Sequence, residues 1–102
     1  MDTAFIRHAI EMGRIEWNKH ALERMLQRGI GREMVKKVLM AGEVIEDYPD
    51  DTPYPSALFL GFVDGDPLHV VMAFDAESEH CYVITAYVPD LEHFEDGFRK
   101  RR

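Results

Sequence analysis

Cysteine is almost missing from this chain: Cys81 stands alone, so no internal disulfide can form, and its place in the apolar run CYVITAYV reads as a reduced thiol in or near a core. Long hydrophobic runs are missing as well. None reaches the roughly 18 residues of a membrane-spanning helix, and Asp2, Arg7, Glu11, Arg14 and Glu16 break up the start of the chain where a signal peptide would be apolar. These absences predict a cytoplasmic protein with no membrane partner. No glycine-rich phosphate loop, dinucleotide fingerprint or GxSxG elbow occurs. The five histidines, His8, His20, His69, His80 and His93, show neither HxxxH nor HExxH spacing, and the acidic run Glu43, Glu46, Asp47, Asp50, Asp51 is broken by proline without an EF-hand pattern. The expectation is no metal and no cofactor. Positive charge is scarce: 12 Lys and Arg stand against 19 Asp and Glu, a net charge of −7 that opposes non-specific binding to nucleic acid.

What the chain does have is enough apolar content for a core. It holds 102 residues, 46% hydrophobic and 11% aromatic, which fits one domain over residues 1–102 with an N-terminal helical extension at 1–14. Phe5, Ile6, Ala9 and Ile10 recur at helical spacing in residues 3–12, and Gly13 supplies a stop. Ile15 to Trp17 reads as extended. Asn18 is a good N-cap for KHALERMLQR, whose Ala21, Leu22, Met25 and Leu26 form one apolar stripe ending at Gly29. Met34, Val35, Val38 and Leu39 repeat that pattern in a third helix, ended by Gly42.

From Glu43 the period changes. EVIEDY, ALFLGFV, LHVVMAF and HCYVITAYV are rich in β-branched and aromatic residues and are separated by turn signals. Asp64-Gly65-Asp66-Pro67 joins two runs at hairpin distance and Asp75 to Glu79 joins the next pair. The fold class is therefore α+β, with short N-terminal helices packed on a three- to four-stranded antiparallel sheet. Pro49, Pro53 and Pro55 make DYPDDTPYPS a rigid loop that holds Tyr54 near the sheet edge, and LEHFEDGFRKRR reads as a short helix or an ordered extension.

Residues four apart on a helix share a side, so His20, Arg24 and Arg28 form a stripe flanking the apolar face. A histidine beside two guanidiniums suits phosphodiester chemistry, which must move a proton and stabilise a developing oxyanion. The competing reading gives Arg24 and Arg28 ordinary ion pairs with Glu23 or the acidic loop and makes His20 a partly buried helix-start residue. Strict alternation in the last strand puts Tyr82, Ile84, Ala86 and Val88 on the core face, and Cys81, Val83, Thr85 and Tyr87 opposite. There, Thr85 and Tyr87 either grip a phosphate or serve cross-strand packing. In LHVVMAF the apolar face is Leu68, Val70, Met72 and Phe74, which leaves His69 to join Thr85 and Tyr87 as a structural, hydrogen-bonded histidine or a substrate contact. His69, Tyr54 and Arg101 complete the candidate substrate-binding set.

The segments WNKHALERMLQRGIGREMVKKVL, GEVIEDYPDDTPYPSALFLG, PLHVV and YVITAYVPD together resemble a bacterial and archaeal family known as domain of unknown function 4258, over about Ile15 to Arg101. The resemblance places the family core at 15–102 and implies a RelE-like fold, because that family looks like a relative of the RelE and BrnT toxins and of the barnase, EndoU, colicin and RelE ribonucleases. It implies metal-independent RNA cleavage by attack of the ribose 2′-hydroxyl, and a small zinc-finger antitoxin as partner. On this chain His20 would be acid/base, Arg24 and Arg28 would hold the phosphate, and Thr85 and Tyr87 would support them. A non-catalytic protein-binding module, or degenerate toxin, is the alternative function, and it accounts better for the acidic charge.

Overall fold

A computed structural model describes all residues, 1–102. Three helices precede most of the sheet: α1 Thr3–Glu11, α2 Lys19–Gln27 and α3 Arg32–Ala41, with β1 Ile15–Trp17 between the first two. β2 Glu43–Tyr48, β3 Ser56–Val63, β4 Asp66–Asp75 and β5 His80–Tyr87 then form a meander. The spatial order is β1-β5-β4-β3-β2. The α+β class stands, but the sheet has five strands and is mixed, not three- or four-stranded and antiparallel. The extra strand is β1, which pairs in parallel with Cys81–Val83 of β5.

Local chemistry accounts for the boundaries of α1 and α2. Asn18 caps α2 by accepting the Ala21 N–H at 2.7 Å, Asp2 does the same for Ala4 at 2.9 Å, and Gly13 and Gly29 adopt positive φ just beyond α1 and α2. Asp64 and Gly65, both at positive φ, make the two-residue turn between β3 and β4 that suits the right-handed twist of a hairpin. Asp75 accepts from the Glu77 N–H and the Ser78 hydroxyl, which closes the next turn.

All three helices lie against one face of the sheet. Their Ile6, Ala9, Met25, Val35, Val38 and Leu39 pack with Phe59, Leu68, Val70, Met72, Cys81, Val83 and Ala86 in one buried cluster. The expected helix stripes are confirmed except at Phe5 and Leu26, which are 62% and 83% exposed. Burial pushes the Cys81 thiol up to about 12, so it is an inert core group.

Two bulges decide what the opposite face carries. Val71 pairs with Thr85 but Met72 pairs with Val83, leaving Ile84 as the inserted residue; Val44 pairs with Phe59 but Glu46 with Leu58, leaving Ile45 inserted. Strict alternation in β5 is thereby corrected. Cys81, Val83 and Ala86 all face the helices, while Tyr82, Thr85 and Tyr87 share the far face with His69. The C-terminal segment is an ordered extension and not a helix: it folds over this far face, closed by a bridge between Phe94 and Arg101, with Phe94 buried.

Gly42 is required for contact and not for its φ of −79°. A Cβ there would meet the Val38 oxygen at 2.4 Å and the Leu60 oxygen at 2.5 Å, both backbone atoms that cannot swing away. Gly42→Ala should therefore lower stability by about 1–3 kcal/mol. Gly31→Ala, where a Cβ meets nothing within 4 Å, should cost less, only the weaker N-cap that alanine gives α3. Denaturant titrations of the two variants will check this, and equal midpoints would contradict the packing at the β2 entrance.

Candidate functional site

The far face holds the largest gathering of polar and aromatic chemistry. His69, on β4, is fully buried although it lies on the face away from the helices. Its Nε2 lies 2.8 Å from the Phe98 carbonyl and its Nδ1 3.2 Å from the Tyr87 hydroxyl. A carbonyl can only accept, so Nε2 carries the proton; in the neutral ring Nδ1 then accepts from Tyr87. Phe94 packs edge-on against the imidazole at 4.5 Å between centroids. Burial outweighs the Phe98 hydrogen bond and holds His69 below the ordinary imidazole range, with Arg101 pushing the same way. Burial likewise raises the Tyr87 phenol, which stays neutral.

The basic C-terminus is tied down over the same face. Arg101 donates to Glu46 at 3.1 Å and lies over the Phe94 ring, and Arg99 pairs with Glu43 at 2.6 Å. Tyr48 donates to the other oxygen of Glu46. The RKRR run is thus partly spent on the acidic edge strand β2. No buried side-chain nitrogen or oxygen lacks a partner, so this cluster is a completed network.

Farther along the face the sheet is open. Tyr54 stacks on Tyr82 at 5.3 Å with an 11° tilt, and with Ala73 and Ile84 they line a hollow of about 330 Å³. Tyr54 is therefore not part of the His69 cluster, from which Ala73 is four residues removed along β4, about 13 Å. Beside the hollow β1 ends at Trp17, and Arg28 occupies the vacated edge of β5. Its guanidinium donates to the Ala86 carbonyl at 2.8 Å and lies 3.4 Å from the Thr85 hydroxyl.

The expected site residues thus divide into four groups. Arg28 meets Thr85; Tyr87 and His69 meet Arg101 of the C-terminal segment; Tyr54 stacks on Tyr82; His20 and Arg24 are exposed on α2 and make no side-chain hydrogen bond or ion pair. The ordinary ion pairs weighed for Arg24 and Arg28 are not formed either: Glu23 pairs with Lys19. Sequence reasoning missed Glu46, Tyr48 and Phe94 as neighbours of His69, because the β2 bulge and the folded-back C-terminus carry no local signal. It also missed an exposed group, Asp90, Glu92 and His93, whose ligating atoms lie within 4.8 Å of one another. Asp90 there accepts from both the backbone and the ring of His93, which is the ordinary bonding of a capped turn.

The sequence profile of DUF4258, a domain of unknown function, matches residues 17–88. The chain belongs to that family. The match takes in α2, α3 and the whole meander but stops before the C-terminal segment that closes over His69, and so falls short of the span to Arg101 expected from the motifs. No curated protein and no solved structure matches the chain. No helix is long and apolar enough to cross a membrane.

The neutral state of His69 has a measurable consequence. In the unfolded chain it takes up a proton near pH 6.5, whereas the folded chain resists protonation until lower pH. The folded state then binds fewer protons, so stability falls as pH drops below about 6.5 toward the lower native value. Thermal melts from pH 7.5 to 5 should show a steeper loss in the wild type than in His69→Gln. Parallel curves would show that His69 does not set the slope.

Proposed function

We propose that this DUF4258 chain is a toxin-like, metal-independent ribonuclease of a toxin–antitoxin pair, built on a RelE-like arrangement of helices on a sheet. The supporting observation is the meeting of Arg28 with Thr85 and the Ala86 carbonyl, the one point where the basic helix stripe and the sheet residues join. Arg24 precedes Arg28 by one helical turn and His20 precedes Arg24 by another, about 6 Å per step, so a phosphate held by the arginines lies within reach of the imidazole. His20 would take the 2′-hydroxyl proton as that oxygen attacks phosphorus and return a proton to the 5′-oxygen as the P–O5′ bond breaks, while the two guanidiniums would stabilise the phosphorane oxygens. The Tyr54–Tyr82 stack and Ile84 offer an adjacent platform for a base, a mode of binding that tolerates any sequence. Tyr87 and His69 would act as support for β5 and not as acid or base, since each satisfies the other. The reading needs no cofactor, and a zinc-finger antitoxin is the partner it implies.

A second reading has its own support. The closed His69 network, the unjoined His20 and Arg24 and the net charge of −7 suit a degenerate toxin that only binds another protein.

Purified protein should cleave a labelled mixed-sequence RNA in EDTA and leave 2′,3′-cyclic phosphate ends. His20→Ala should slow cleavage by about 10²-fold, and Arg24→Ala and Arg28→Ala by about 10²–10³-fold. Wild-type rates in all three variants would remove these residues from the reaction. Absence of cleavage by the wild type would favour the binding module.

A further inference from the structure

The largest hollow of the molecule lies away from the Arg28 edge and uses none of its residues. It encloses about 510 Å³, within the roughly 300–1,000 Å³ of pockets that bury a ligand-sized group. Its lining is mainly apolar, drawn from α1, the proline loop and the end of β4, and includes Phe5 and Phe74. Phe5 is 62% exposed, a large apolar side chain on α1 with no cover from this chain. A second hollow of about 130 Å³, which also carries His8 and Glu79, shares Phe5, Phe74 and Ala76 and so adjoins the first.

Charge defines what the groove would accept. The larger hollow is lined by four carboxylates, Asp2, Asp47, Asp75 and Glu77, and by no Lys, Arg or His. One of the four, Asp47, is offset by the Met1 ammonium at 2.7 Å. Asp2 and Asp75 accept hydrogen bonds from neighbouring backbone or hydroxyl groups without meeting a cation, and Glu77 has no ion-pair partner. An uncovered aromatic surface beside uncompensated carboxylates is complementary to an apolar side chain flanked by Lys or Arg.

We propose that this groove docks a basic, apolar segment of a partner protein, an aromatic or long aliphatic side chain filling the hollow while flanking cations meet Glu77, Asp75 and Asp2. The groove shares Tyr54 with the platform beside Tyr82 but no residue with the α2 stripe, so loss of peptide binding through Phe5 or Glu77 and loss of RNA cleavage through His20 are separate results.

The test is an amide-resolved NMR titration of the full chain with two 12-residue peptides of Phe and Ala, one interspersed with Lys and the other with Glu. The Lys peptide should shift the signals of Phe5, Asp47, Tyr54 and Phe74 to Glu77 saturably, and weaken about fivefold or more between 50 and 300 mM salt as screening shortens. Phe5→Ser and Glu77→Lys alter exposed side chains, so the fold should persist by circular dichroism, and each should weaken binding about tenfold, the loss of one good contact. Equal binding of the Glu peptide, shifts centred on α2, or unchanged affinity in both variants would overturn the proposal. So would concentration-dependent broadening of the same signals without peptide, which would make a second copy of this chain the occupant.

Discussion

Two inserted residues at the margins of the sheet decide its chemistry. Side chains alternate with a period of two, so one extra residue turns every later position to the other face. Ile84 does this in β5 and Ile45 in β2. Without the first insertion Thr85 and Tyr87 would point into the helices and Ala86 away from them; without the second, Glu46 and Tyr48 would face inward. The two shifts together collect Glu46, Tyr48, His69, Thr85 and Tyr87 on one surface while the apolar residues of the same strands keep the core continuous.

That surface cannot be left wholly bare, because Leu58 and Leu60 lie on it beside His69 and are fully or almost fully buried. The C-terminal segment supplies the cover. Exposed ion pairs such as Arg99–Glu43 contribute only about 0–1 kcal/mol each, so they do not hold it by themselves. The stronger constraints are the burial of Phe94 and the hydrogen bond from His69 to the Phe98 carbonyl, since freeing either partner would leave a buried polar group unpaired. Of the two roles weighed for His69, structural and substrate-binding, the first is the one in which both ring nitrogens are engaged, as they are while the segment stays in place.

Legibility in the sequence followed the range of the interaction. Asn18, Gly13 and Gly29 act within one helical turn, and Asp64-Gly65 within one hairpin, so these boundaries could be read from neighbouring residues alone. The alternation in β4 was equally local and correct. β1 was read as extended but not as a sheet strand, because three residues carry too little pattern to reveal a parallel partner more than sixty positions away. The bulges escaped for a related reason: Ile84 and Ile45 are good strand residues, and nothing in their identity marks them as extra. The site suffered most from this. The proposed helix stripe is legible at i, i+4 and i+8, whereas the network around His69 joins β2, β4, β5 and the C-terminus through contacts with no common spacing.

The acidity of the chain bears less on the RNA reading than the net charge suggests. At physiological salt exposed charges are screened over about 8 Å. Thr85, which Arg28 meets, pairs with Val71, and Asp75 at the acidic groove lies four residues farther along β4, about 13 Å away. The two surfaces are thus separated by more than one screening length, and each presents its own charge to whatever approaches. An acidic protein can in this way keep one small cationic edge for a phosphate, provided the negative end is turned elsewhere or covered. A basic partner seated at the groove would do both, lowering the overall repulsion toward RNA without touching the edge that would bind it.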